Sequence, residues 1–102
     1  MRGRVDSYRR MLALFAHSHG SDAEKIEAAR ASGDLAPIKR VAHSLKGSAG
    51  SIGAIKLAAA ATRLDAALRE AGTESAIDAE REALLAELVP LMTQLHRLAG
   101  GQ

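Results

Sequence analysis

The chain has 102 residues, 47% hydrophobic, 25% charged and 2% aromatic, with a formal net charge of +2. Twenty-two alanines and thirteen leucines stand against five isoleucines and three valines. That balance favours helix, where Ala and Leu lose little side-chain freedom, and it excludes a β-sandwich or barrel.

No cysteine is present, so there is no disulfide framework, thiolate metal site or cysteine nucleophile. No apolar run nears the ~20 residues of a membrane-spanning helix. The opening MRGRVDSYRR lacks the apolar segment of a secretory signal. A cytoplasmic location without membrane insertion is therefore expected. The sequence pI of about 9.4 reflects a mild basic excess suited to an acidic partner. It is far from the dense basic stripe of a nucleic-acid binder.

In chain order, Asp6 or Ser7 opens a short helix over 7–17 whose apolar residues are Met11, Leu12, Leu14 and Phe15, and Ser18-His19-Gly20 breaks it. Ser21 with Glu24 reads as a capping box for a helix over 21–32 that buries Ile26 and Ala29. Gly33 stops it. Asp34 then caps a helix with Pro37 in its first turn. Its stripe is Ile38, Val41, Ala42, Leu45, Ala49 and Ile52, and Gly53 ends it. The next helix, over 54–71, presents Leu57, Ala60, Ala61, Leu64, Leu68 and Ala71 on one face. Gly72 closes it. Ser75 and Asp78 are positioned to cap the last helix, with a row of Ile77, Leu84, Leu88, Leu91, Leu95 and Leu98. Arg81 interrupts that row, and its stem is expected on the core edge with its charge in water. Pro90 predicts a kink, and Gly100-Gly101-Gln102 a frayed end. Helices joined by such short loops make an all-α protein: an antiparallel up-and-down four-helix bundle with a short extra N-terminal helix. It forms a single domain over 1–102, its core about 7–98.

The chemistry gathers on the helix that starts after Asp34. With Ile38 at zero on a helical wheel, its apolar stripe falls within roughly 60° on either side, while His43 sits near 140°, Gly50 near 120° and Gly47 near 180°. The imidazole of His43 therefore points away from the core. Lys39 and Arg40 lie four and three residues before it and Lys46 three after, all on its side of the helix. No acid occurs among residues 35 to 63, so this cluster repels itself unless an anion visits it. Gly in a helix interior costs roughly 0.5–1 kcal/mol relative to Ala. Gly47 and Gly50 leave space beside an exposed His for a bulky group or a partner's loop.

The stretch from Ala42 through His43-Ser44-Leu45-Lys46-Gly47 to Gly53, then Leu57 and Leu64-Asp65, closely resembles the signature of histidine-containing phosphotransfer (HPt) domains. That signature reads H-x-L-K-G, a Gly ten residues after the His, a Leu, and then Leu-Glu. Asp65 stands where Glu is commoner and keeps the charge. Gly33-Asp34 and Phe15 are also similar, and the likeness covers about 7–98. The resemblance implies a phosphorelay carrier in which His43 accepts phosphate from a receiver-domain phosphoaspartate and passes it to another receiver. It implies that Lys46 steadies the phosphoryl group and that Gly47 admits the receiver's loops. Lys39 and Arg40 add electrostatic support from the wheel, and Ser44 and Gly50 extend the docking face.

Such a carrier is not an enzyme with an ATP site. It has no cofactor of its own, because Mg²⁺ is held by the receiver. Its partners are response-regulator receiver domains, with a hybrid sensor histidine kinase as a parent chain, and it is expected to be monomeric. The abrupt start, with one family helix short or absent, suggests a domain from a longer chain; such a parent could be membrane-anchored while this part stays cytoplasmic.

Two alternatives share these residues. A chemotaxis-type kinase phosphoacceptor domain would add an acid bonded to the His, and no clear candidate for it stands out. A non-catalytic helical interaction or nucleic-acid-binding module would use the Lys39, Arg40, Lys46 face, but stacking aromatics are lacking. His17 and His19 complete no metal set. His96 near the last helix C-terminus is mildly favoured there as a cation.

Overall fold

The computed structural model describes the backbone of residues 2–70 and 72–100 and the side chains of 6–70 and 72–98. Five helices make up this fold: α1 (Arg2–His19), α2 (Asp22–Ser32), α3 (Ala36–Ser51), α4 (Ile55–Arg69) and α5 (Glu74–Gly100). Each of α2 to α5 packs on the next, and α5 also meets α2, closing the bundle. The result is an elongated body of 48 × 21 × 18 Å. Ile26, Ile38, Ala42, Leu45, Leu57, Leu64, Leu84 and Leu88 form the dry centre. These are the apolar stripe positions, turned inward because each helix hides one face from water.

The first helix departs from expectation. It is not a short appendage over 7–17 but 18 residues long, so Asp6 and Ser7 lie within it and do not cap it. α1 packs along α5, Phe15 enters the core at 4% exposure, and the Tyr8 hydroxyl donates to the Ile52 carbonyl at 3.0 Å. Leu14 stays in solvent, as does Leu98 at the far end of α5.

The break falls at Gly20-Ser21, and α1 ends two residues later than expected, because His19 is buried. Its Nδ1 lies 2.6 Å from Asp22 Oδ2, and its ring sits 4.6 Å from that of Phe15. The turn between α1 and α2 is thus clamped by a buried polar pair. The expected capping box is not made. Ser21 has φ −109° and ψ 10° and no side-chain cap bond, since its backbone is not in the extended conformation an N-cap needs.

Other boundaries follow local chemistry. Gly33 takes φ 79° at the end of α2 and Gly53 φ 80° after α3, the left-handed region that glycine enters without strain. Asp34 Oδ1 accepts from the Ala36 N–H at 3.1 Å. At the start of α5 it is Thr73, and not Ser75, that caps, its Oγ1 accepting from the Ala76 N–H at 3.1 Å. α5 runs on through Pro90, which lies on the exposed side, where the carbonyl it leaves unbonded meets water. Ala71, Gly101 and Gln102, assigned above to a helix face and a frayed end, lie outside the described residues.

Arg81 corrects a second expectation. Its charge does not reach water: the residue is 2% exposed. It lines a cleft of about 520 Å³ where α2 and α4 end and α3 and α5 begin. Its Nη atoms donate to Asp78 (3.4 Å) and Glu82 (3.1 Å), while Nε has no partner among the described residues. The acids one turn before and one residue after it come to the guanidinium, so the side chain need not uncoil outward.

Candidate functional site

α3 is two-sided. Ile38, Val41, Ala42, Leu45 and Ala49 are buried. Lys39, Arg40, His43, Ser44, Gly47 and Gly50 are exposed, and Lys46 is half-buried. The wheel geometry therefore holds, and the His43 ring stands on the solvent face without a hydrogen-bond partner among the described residues. Pro37 in the first turn starts this helix. The Gly53 N–H donates to the Gly50 carbonyl and the Ala54 N–H to that of Ala49, which end it.

A Cβ built on Gly47 or Gly50 would meet nothing within 4 Å. No neighbour among the described residues demands either glycine. What the two residues provide is a strip of bare backbone beside the imidazole, bounded by the Ser51 hydroxyl, which donates to the Gly47 carbonyl at 3.2 Å.

The electrostatics differ from the expected trio of unpaired cations. Lys39 and Arg40 have no ion-pair partner among the described residues. Lys46, by contrast, sends its Nζ across to α4, where it donates to Asp65 Oδ2 at 2.9 Å. Arg69, one turn further along α4, donates its Nε to the same oxygen at 3.1 Å. The Asp65 side chain is only 10% exposed, against 35% for Lys46 and 66% for Arg69. The hydrogen bond from Lys46 holds the Asp65 carboxyl below its ordinary value, against the opposing effect of burial and with further help from the charges of Lys46 and Arg69. The segment 35–63 has no acid, but packing supplies one from the next helix.

Sequence reasoning passed over this partnership. The sequence by itself presents Asp65 only as a conservative replacement and does not single out Arg69. The available signal was an Asp–Arg pair spaced i, i+4 on the edge of an apolar stripe. The acid at the site engages Lys46 and Arg69, and no carboxylate is bonded to His43 among the described residues.

The other histidines stand apart from this centre. His17 and His96 are exposed, and His19 is committed to Asp22. Among the described residues no group of three or more His, Cys, Asp or Glu side chains is arranged to hold a metal ion. No described helix is long and apolar enough to cross a membrane.

A family model described as the Hpt domain matches residues 10–98. Comparison with curated proteins and with solved structures gave no match.

Proposed function

The chain belongs to the Hpt family, whose domains carry phosphoryl groups in two-component signalling, and on that premise we propose that His43 is its phosphoacceptor. The observation that supports this most directly is an exposed imidazole, without a partner among the described residues, beside the open backbone of Gly47 and Gly50. A neutral imidazole is a competent nucleophile once its lone pair is accessible.

In the proposed step, the unprotonated ring nitrogen of His43 attacks phosphorus of an aspartyl phosphate on a receiver domain. The N–P bond forms as the acyl-phosphate P–O bond breaks. The electron pair departs on the donor carboxylate, and the ring keeps the proton on its other nitrogen. Attack by a second receiver's aspartate reverses these events and frees the imidazole. Mg²⁺ for both transfers would be held by the receiver's acidic residues. Lys46 provides a charge-assisted hydrogen bond to the phosphoryl oxygens, and Lys39 and Arg40 draw in the acidic receiver pocket. Gly47, Gly50 and Ser44 form the face on which its loops rest.

The test is transfer from a panel of phosphorylated receiver domains. One or more should label the protein with an acid-labile, alkali-stable phosphate, and His43→Gln should abolish that label. Labelling that survives the substitution overturns the assignment. Labelling from ATP by a separate kinase catalytic domain, with no receiver present, would favour the chemotaxis-type role instead.

A further inference from the structure

Lys46 cannot serve two anions at full strength. In the structure its ammonium sits on Asp65, while the reading of His43 as phosphoacceptor, on which this inference rests, asks it to meet a phosphoryl group one turn away. A carboxylate that is 10% exposed has little water to replace a departing cation, and a charge left unpaired in such a place is strongly disfavoured. Taken alone, the pair would hold Lys46 on Asp65.

Arg69 changes this balance. It binds the same Oδ2 atom, from α4 itself and not from α3. Its side chain is 66% exposed, so the guanidinium remains hydrated wherever Lys46 goes. We infer that Arg69 is a positioning residue that keeps Asp65 neutralised while Lys46 moves from the carboxylate to the incoming phosphoryl group. Asp65 is then a parking site for the lysine, and Arg69 sets how firmly the lysine is held. Lys46 needs no backbone movement for the exchange, because its half-exposed side chain already lies at the protein surface.

The proposal makes Arg69 matter only through Lys46, and this can be measured without a cognate receiver. The full chain is charged with phosphoramidate, and phosphohistidine formation is followed by ³¹P NMR in the parent, Arg69→Met, Lys46→Met and the double variant. An exposed ion pair of this kind is worth little, so Arg69→Met should slow charging by about two- to five-fold when Lys46 is present. In the Lys46→Met background the same substitution should leave the rate unchanged. Asp65→Asn should remove the dependence on Arg69 as well, since the lysine is then free. Circular dichroism should show the parent and the two single variants equally helical, as Arg69 is largely exposed and Lys46 half-exposed. Any loss in the double variant, which leaves Asp65 without a countercharge, should be restored by adding Asp65→Asn.

An Arg69 effect of equal size in both backgrounds would overturn the inference, since it would mark Arg69 as a distant charge acting by itself. No Arg69 effect in either background would overturn it too. Both outcomes leave His43 as acceptor. The absence of a phosphohistidine signal that depends on His43 would reject the underlying reading, and the inference with it.

Discussion

Lys46 on α3 and Asp65 on α4 lie nineteen residues apart in the chain and 2.9 Å apart in space. This ion pair joins the helix that carries the exposed imidazole to its neighbour. It also sets the charge that a phosphoryl group on His43 would meet, since of the three cations around that ring Lys46 is engaged, while Lys39 and Arg40 have no ion-pair partner among the described residues.

The pair makes stability depend on pH in a definite direction. The Asp65 carboxyl is held below its ordinary 3.8 by the Lys46 hydrogen bond, with Arg69 adding to it. A depressed folded-state value stabilises the fold fully above the unfolded value and loses that effect as pH falls through the folded one. Asp65→Asn is expected to cost about 1 kcal/mol near neutral pH. The gap between variant and parent should close as the solution is acidified below the unfolded value. Chemical denaturation across the range from neutral to about pH 3 measures this, and a gap that does not narrow would show the carboxylate is not stabilised as described.

Gly47 separates folding from access. Its position is open to a Cβ, so Gly47→Ala should raise stability by about 0.5–1 kcal/mol, the usual gain in a helix interior. Gly47→Gln should preserve helicity yet slow phosphotransfer from a receiver, because the longer side chain occupies the strip beside His43. Thermal melts and transfer kinetics on the two variants check both halves. Unaltered transfer in Gly47→Gln would remove the glycine from the docking face.

Lys39 and Arg40 should act on encounter more than on chemistry. Replacing both with Gln is expected to lower the association rate with a receiver several-fold at low salt. The difference should fade as the Debye length shrinks from about 10 Å at 0.1 M to about 3 Å at 1 M. Stopped-flow association over a salt series reads this out. A salt-independent difference would indicate direct contacts in place of steering.

Arg81 offers a test of the core. Its Nε is buried and has no partner among the described residues, a cost that a methionine of similar reach would not carry. Arg81→Met should therefore be neutral or stabilising, whereas Arg81→Ala, which also removes the packed stem, should lose about 2 kcal/mol. Denaturant midpoints for the two variants distinguish packing from charge.

Much of this protein was legible before any fold was known, because helices are written in local terms. The stripe through Ile38, Val41, Leu45 and Ala49 has a period that only one backbone geometry satisfies. That period alone turns His43 outward and sets Gly47 on the same side. Glycines at 33 and 53 mark their own turns, since few other residues tolerate a positive φ. What packing decided is everything that joins residues distant along the chain. Asp65 meets Lys46 because α4 folds back on α3. His19 is buried because Phe15 and Asp22 converge around it, and this carries α1 two residues past its expected end. Arg81 is enclosed because four helix ends meet about it. Periodicity specifies which way a side chain faces, but a countercharge and a degree of burial depend on what lies across from that face, and only the assembled bundle supplies it.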